Sequence, residues 1–271
     1  MSSGPTPSRT IDLTDQFLIA MPNMRDDNFS GTVVYLCEHN ANGALGLVIN
    51  RPTELPLQEL FEKVDLKLDR PDLSDSPVYF GGPVQTERGF VLHDRLDAEG
   101  GHYNSTLKIG DGLEMTTSRD VLEALAGGAG PKRVFVTLGY SGWSAGQLED
   151  EISRNGWLTV KAEPAIIFDT PVEQRYDKAL DVIEKLALEK EIALYRDSTN
   201  IAFTPMKEGK ALDETEFAQL PEAERERYHE DISALEVRLN EELASLPQWK
   251  RESTNQLRQL NDETISQALQ P

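Results

Sequence analysis

Gly139-Tyr140-Ser141-Gly142-Trp143 is the stretch most suggestive of chemistry, because a serine between glycines, after an apolar run, is how a nucleophile elbow begins. The elbow pattern needs a third glycine where Trp143 stands, and it needs a histidine and an acid as partners. His39, His93 and His102 are available, yet no spacing ties any of them to Ser141. The stretch therefore reads as a structural turn, with catalytic residues: none. Ser141 and Trp143 are kept as candidate binding positions. An exposed Trp143 would mark a contact surface, and a buried one would pin a helix to a sheet.

Other chemistry-bearing groups are weaker. Ser144 stands three residues before Gln147, the spacing of a capping box, and Glu149, Asp150 and Glu151 follow near the helix start. Free N–H groups there would suit an anion, but Ser144 and Gln147 are placed to satisfy them internally and the acids would repel one. Cys37 and His39 lie two apart on a strand, so they could share a face; no H-x-x-x-H, H-E-x-x-H or C-x-x-C pattern occurs, and no metal or cofactor is expected. Asp26-Asp27 read as solvated loop acids.

The elements that must position these groups follow from patterning. Val134 to Leu138 is a strand, the glycines turn it, and an acidic helix follows before Trp157. Phe29–Glu38 and Ala44–Asn50 read as a hairpin through Asn42-Gly43. Leu55–Val64 is an amphipathic helix, Val78–Phe80 and Gly89–His93 are strands, and Leu107–Ile109 with Leu113–Thr116 form a second hairpin. Ser118 caps a helix over Arg119–Ala126. Trp157–Lys161 and Ala165–Phe168 read as closing strands, and a helix begins at Pro171. Strands in hairpins with scattered helices predict α+β with a mixed, largely antiparallel sheet. Residues 1–10 are Ser/Pro-rich and read as disordered.

Beyond about Ile183 the strand signal fades. Residues 184–271 hold 19 acidic and 11 basic residues, a net of −8, which reads as an acidic helical appendage. Tyr228, Ile232, Leu235 and Leu239 mark one apolar stripe, and Leu257, Leu260, Thr264 and Ala268 a second, so a C-terminal α-helical hairpin is expected.

Bulk properties bound the function. A net charge of −20 over 271 residues and a pI of about 4.6 repel phosphate backbones, so direct nucleic-acid binding is not expected. One cysteine permits no intrachain disulfide. No signal peptide and no membrane-length apolar run is read, which makes the cytoplasm the expected location.

FLIAMPNM (17–24), GTVVYLCEHNANGALGLVIN (31–50) with Arg51-Pro52, VYFGGPV (78–84), RGFVLH (88–93), LGYSGWSAGQLEDEISRNGWL (138–158) and FDTPVEQRYDKALDVI (168–183) occur in order. Through them, residues 11–183 resemble the AlgH/YqgE family of bacterial proteins. The resemblance implies a compact α+β domain with a barrel-like sheet surrounded by helices, a transcriptional-regulator label, and no agreed enzymatic activity or cofactor. From about Asn200, the LPEAERERYHEDI and LPQWKRES blocks are similar to a helical segment of Lon-like ATP-dependent proteases. No G-x-x-x-x-G-K-[ST] phosphate loop occurs, so ATP hydrolysis and proteolysis are not carried over. The chain reads as two unlike pieces joined near residues 183–200, as a natural fusion or by another kind of join. The expected function is a non-enzymatic cytosolic regulatory or binding protein acting through a protein partner. Two alternatives are an interaction module whose helical arm docks a protease or another partner, and an enzyme using the 139–144 turn.

Overall fold

Alternation in the first strands sends side chains into two separate cores. The computed structural model describes residues 12–96, 103–110, 112–197 and 200–236. In β1 (Gln16–Ala20) and β2 (Val33–Asn40), Phe17, Ile19, Val33 and Tyr35 face one core, while Leu18, Ala20, Val34 and Leu36 face another. Both faces are covered, which is why these strands carry few polar residues. A two-residue turn, Ala41-Asn42, leads into β3 (Gly43–Val48), so the first predicted hairpin forms. A bulge between Leu36 and Glu38 shifts the register within it.

The chain continues through β4 (Pro52–Pro56), α1 (Leu57–Lys63), β5 (Pro77–Phe80), β6 (Val84–Asp94), β7 (Thr106–Ile109), β8 (Leu113–Thr116) and α2 (Arg119–Ala126). Next come β9 (Val134–Ser144), α3 (Gln147–Ser153), β10 (Trp157–Lys161), α4 (Pro164–Phe168) and α5 (Arg175–Leu188). The main sheet runs β10-β1-β2-β3-β9-β6-β8-β7, with β5 beside β9 and β4 on β5. Every pairing in it is antiparallel except β5 with β9. The architecture is the expected α+β one, a strongly curled half-barrel with helices around it.

Three layers of packing follow. The concave core gathers Phe17, Tyr35, Leu47, Phe90, Leu92, Met115 and Phe135. One end of it is closed by Ile166 and Ile167 of α4 and Leu180 and Ile183 of α5. On the convex face, α3 packs Leu148 and Ile152 over β1–β3, and α1 and α2 pack Phe61, Val121 and Leu125 over β6 and β9. Arg175 fastens the closed end. It is buried, donates from Nε to Thr170 O (3.0 Å) and from Nη1 to Ile49 O, and lies 5.0 Å from the Tyr79 ring centroid. Burial lowers its pKa from the usual arginine value.

Two expected elements differ. Ala165–Phe168 is helical rather than a strand, because Pro164 presets the first helical turn and both Ile166 and Ile167 find apolar cover. The 184–271 stretch is not all helix. It opens with a three-stranded antiparallel sheet of β11 (Ile192–Arg196), β12 (Ile201–Lys207) and β13 (Lys210–Ala211), followed by α6 (Glu214–Ala218) and α7 (Glu222–Glu236). α5 runs through position 183, and Ile201, Leu194 and Phe203 pack against the main core. Tyr228 of α7 is buried beside Ala187 and Ile192, and its hydroxyl donates to Met206 O at 2.6 Å. The second helix of the expected hairpin, the LPQWKRES block, the N-terminal ten residues and His102 lie outside the described residues.

Candidate functional site

Ser141 sits inside β9, not in a turn. The strand continues through Gly139-Tyr140-Ser141-Gly142-Trp143 to Ser144, and the chain turns only at Ala145-Gly146. Ser141 is fully buried, and its Oγ donates to Gly81 O at 3.1 Å. The glycines answer to a close crossing of backbones. A Cβ on Gly82 would lie 2.3 Å from the carbonyl carbon of Tyr140, and one on Gly139 would lie 2.4 Å from Gly82 O. Both glycines have positive φ.

Trp143 is buried as well, so its role is packing. Its Nε1 and that of Trp157 both donate to Glu151 Oε2, at 3.0 and 2.9 Å. Phe29 stacks on Trp143 and meets Trp157 edge-on. Only half of the expected capping box forms. Gln147 Oε1 accepts from the Ser144 N–H at 3.1 Å, while Gly146, in a left-handed conformation, is the N-cap and no side chain caps the helix.

The histidines are satisfied and separate. His39 Nδ1 accepts from the Leu13 N–H (3.2 Å), which leaves Nε2–H to donate to Glu149 Oε1 (3.2 Å). The His39 hydrogen bond holds the Glu149 carboxyl below its usual range. His93 is buried, with Nδ1 2.7 Å from Asp94 O and Nε2 2.9 Å from Thr116 Oγ1. Desolvation pushes its pKa down, so the ring stays neutral. Cys37 and His39 do not share a face. Cys37 follows Val33 and Tyr35 into the concave core by alternation, whereas the bulge sends His39, which pairs with Ala44, to the convex side, where it reaches α3. Burial pushes the Cys37 thiol pKa far up. Among the described residues no three metal-ligating side chains cluster.

The concave face has an open end, opposite the one closed by α4 and α5. Two grooves adjoin there. One, of about 580 Å³, is lined by Glu38, Asn40, Leu45, Val84, Tyr140 and Trp143, with their neighbours. The other, of about 470 Å³, is lined by Leu45, Arg88, Phe90, Leu107, Met115 and Tyr140, with others. Glu38, Leu45 and Tyr140 border both. The floor is apolar because Leu45, Leu107 and Tyr140 are the last inward-facing side chains of their strands, packed against the core yet only partly covered. Trp143 is thus brought to a groove wall, while Ser141 lies beneath it, off the lining. Glu38, Arg88 and Tyr140 were missed as site residues in the sequence. Tyr140 was visible there only as a neighbour of Ser141.

Comparisons with known proteins place the family and the fold. The DUF179 family, described as AlgH-like, matches residues 17–186. A UPF0301 protein of Burkholderia vietnamiensis is 66% identical over 177 residues, which is 65% of this chain and 91% of the relative. A UPF0301 protein of Burkholderia cenocepacia matches to the same extent, 66% over 177 residues, 65% of this chain and 91% of that protein. The solution structure of the AlgH protein from Pseudomonas aeruginosa superimposes with a TM-score of 0.55 at 50% identity, covering 67% of this chain and 93% of that one. A crystal structure of protein DIP2367 from Corynebacterium diphtheriae, at 18% identity and a TM-score of 0.51, covers 65% of this chain and 88% of its own and shares the fold.

Proposed function

The chain belongs to the AlgH-like family, and from that premise we propose that it is a non-enzymatic binding protein that holds a protein partner at the open mouth of its half-barrel. The pair of adjoining grooves sharing Glu38, Leu45 and Tyr140 carries the reading. An apolar floor at Leu45 and Tyr140 within largely polar walls is what a recognition groove provides. The absence of turnover is supported by the same residues that first suggested chemistry. Ser141 spends its hydroxyl on a carbonyl, and the rings of His39 and His93 are held by other groups on other parts of the fold.

A regulatory role, implied by the family resemblance, then runs through the partner rather than through DNA, because a net charge of −20 repels duplex phosphates. The cytoplasm is the proposed location; among the described residues no helix is long and apolar enough to cross a membrane. The segment from about residue 190, similar to part of Lon-like proteases, is proposed as a second contact arm without protease activity.

Affinity capture from native cells tests this reading. Leu45→Arg places a charge on the groove floor and is expected to lose the partner that the wild-type chain captures, with its thermal midpoint kept. Capture unchanged by Leu45→Arg removes the mouth as the binding surface. A salt-dependent shift of duplex DNA at physiological ionic strength overturns the indirect route.

A further inference from the structure

We infer that the mouth takes the free carboxy-terminus of a partner polypeptide, with its apolar side chains on the groove floor and its terminal carboxylate on Arg88. The inference rests on the mouth being a binding groove, as proposed above, and adds the chemistry of the occupant.

Arg88 is the cation of this groove. Its Nη2 donates to Thr117 Oγ1 (3.0 Å), its Nη1 to Gln85 Oε1 (3.4 Å), and its guanidinium lies 5.8 Å from the Phe90 ring centroid. These neutral contacts orient the planar fork without neutralising it. Among the described residues Arg88 has no ion pair, although the chain carries 47 acids against 27 Lys and Arg. Arg70, Arg119, Arg133, Arg154, Arg196 and Arg227 each face a carboxylate within 3.0 Å, and Arg51 and Arg175, which have no ion pair either, spend their donors on main-chain carbonyls. A guanidinium presents its donors in a fork that matches a carboxylate, and this one stands beside an apolar trough.

The backbone next to Arg88 is irregular. β6 pairs Val84 with Tyr140 and then Gly89 with Leu138 on β9, and pairing with β8 begins only at Val91. Gln85 to Arg88 form a bulge between those pairs, with Gln85 at a positive φ, and the bulge sets Arg88 on the groove lining. An extended peptide lying in the trough reaches its end beside Arg88, and a carboxylate is the group every free chain end carries. Alternate side chains of such a peptide fall on Leu45, Phe90, Leu107 and Met115. Glu38 accepts one hydrogen bond, from Asn40 Nδ2 (2.7 Å), and its remaining lone pairs suit a peptide N–H.

Three probes test this on the full chain by methyl and amide NMR: N-acetyl-Leu-Val-Leu with a free carboxylate, the same peptide as its C-terminal amide, and octanoate. The free acid is expected to shift the methyl signals of Leu45, Leu107 and Met115. The amide is expected to bind at least about tenfold more weakly. Arg88→Gln is expected to bring the acid down to the affinity of the amide at an unchanged thermal midpoint. Equal binding of acid and amide, or an acid affinity untouched by Arg88→Gln, overturns the role of Arg88 while the groove itself stands. Octanoate binding more tightly than the tripeptide acid overturns the peptide in favour of a free organic acid. No shift from any probe overturns the inference, and the mouth is then judged by the Leu45→Arg capture alone.

Discussion

The tryptophan corner and the floor of the mouth are built from opposite faces of the same strand, β9, with Trp143 also reaching a groove wall, and they treat polar groups in opposite ways. At the corner, two indole N–H groups share one carboxylate oxygen of Glu151, whose other oxygen accepts from Gln147 Nε2 at 3.0 Å. His39 is tied on both ring nitrogens, one of them to Glu149. Every conspicuous polar group there is spent on holding α3 to the sheet. At the mouth, Tyr140 and Leu45 are half-covered, Arg88 has no ion pair among the described residues, and Gln85 to Arg88 bulge out of the β6–β9 ladder. The difference teaches that striking residue types mark a site only when their bonding capacity is left over. The corner has the types, and the mouth has the capacity.

Substitutions should separate the two regions. The largest effect is expected where the backbones cross under Ser141. Gly82→Ala drives a Cβ into the Tyr140 carbonyl carbon at a positive φ, and should cost more than about 4 kcal/mol, seen as loss of cooperative unfolding. Glu151→Ala strands two buried indole donors at the corner. A loss of about 3 kcal/mol, or about 6–12 °C in the thermal midpoint, is expected in a calorimetric scan. A midpoint within a degree or two of wild type would mean that the corner does not hold α3.

Glu149 adds a smaller, pH-dependent term. Its folded pKa lies below the ordinary 4.5, so its contribution is present above that pH and is lost as the pH falls through the folded value. Glu149→Gln should cost about 1 kcal/mol at neutral pH and flatten the acid limb of a urea-stability profile. A profile of unchanged slope below pH 4.5 would remove this account of the His39 contact. The smallest stability effect belongs to the mouth. Arg88→Gln should stay within about 0.5 kcal/mol of wild type in the same urea titration. A larger loss would show that Arg88 is structural and would erase the contrast.

Much of the fold was legible in the chain. Val33, Val34, Tyr35 and Leu36 announced β2, and the turn before Gly43 announced its hairpin. The candidate site was legible only in part. Trp143 and Ser141 drew the eye, and Trp143 does reach a groove wall, but Ser141 is sealed beneath it. β11 and β12 were missed although Ile192 and Leu194, and Ile201 and Phe203, alternate with period two. The surrounding acidic composition, and the helical stripe after Tyr228, masked a strand signal only a few residues long.

By itself the sequence determined most strands of the main sheet, most helices, the acidic surface, and the family to which residues 17–186 belong. These follow from local periodicity, turn chemistry and motif order, all properties of neighbours along the chain. Which polar groups are left unspent was decided by the tertiary structure alone. The bulge at Cys37 sends His39 to the convex face, and β9 continues through its glycines, kinked at Gly139, to bury Ser141. The curl of the sheet brings Leu45, Arg88, Leu107 and Tyr140 to one rim. Hydrogen-bond satisfaction depends on partners more than a hundred residues away, such as His39 and Glu149, and no local pattern encodes that pairing.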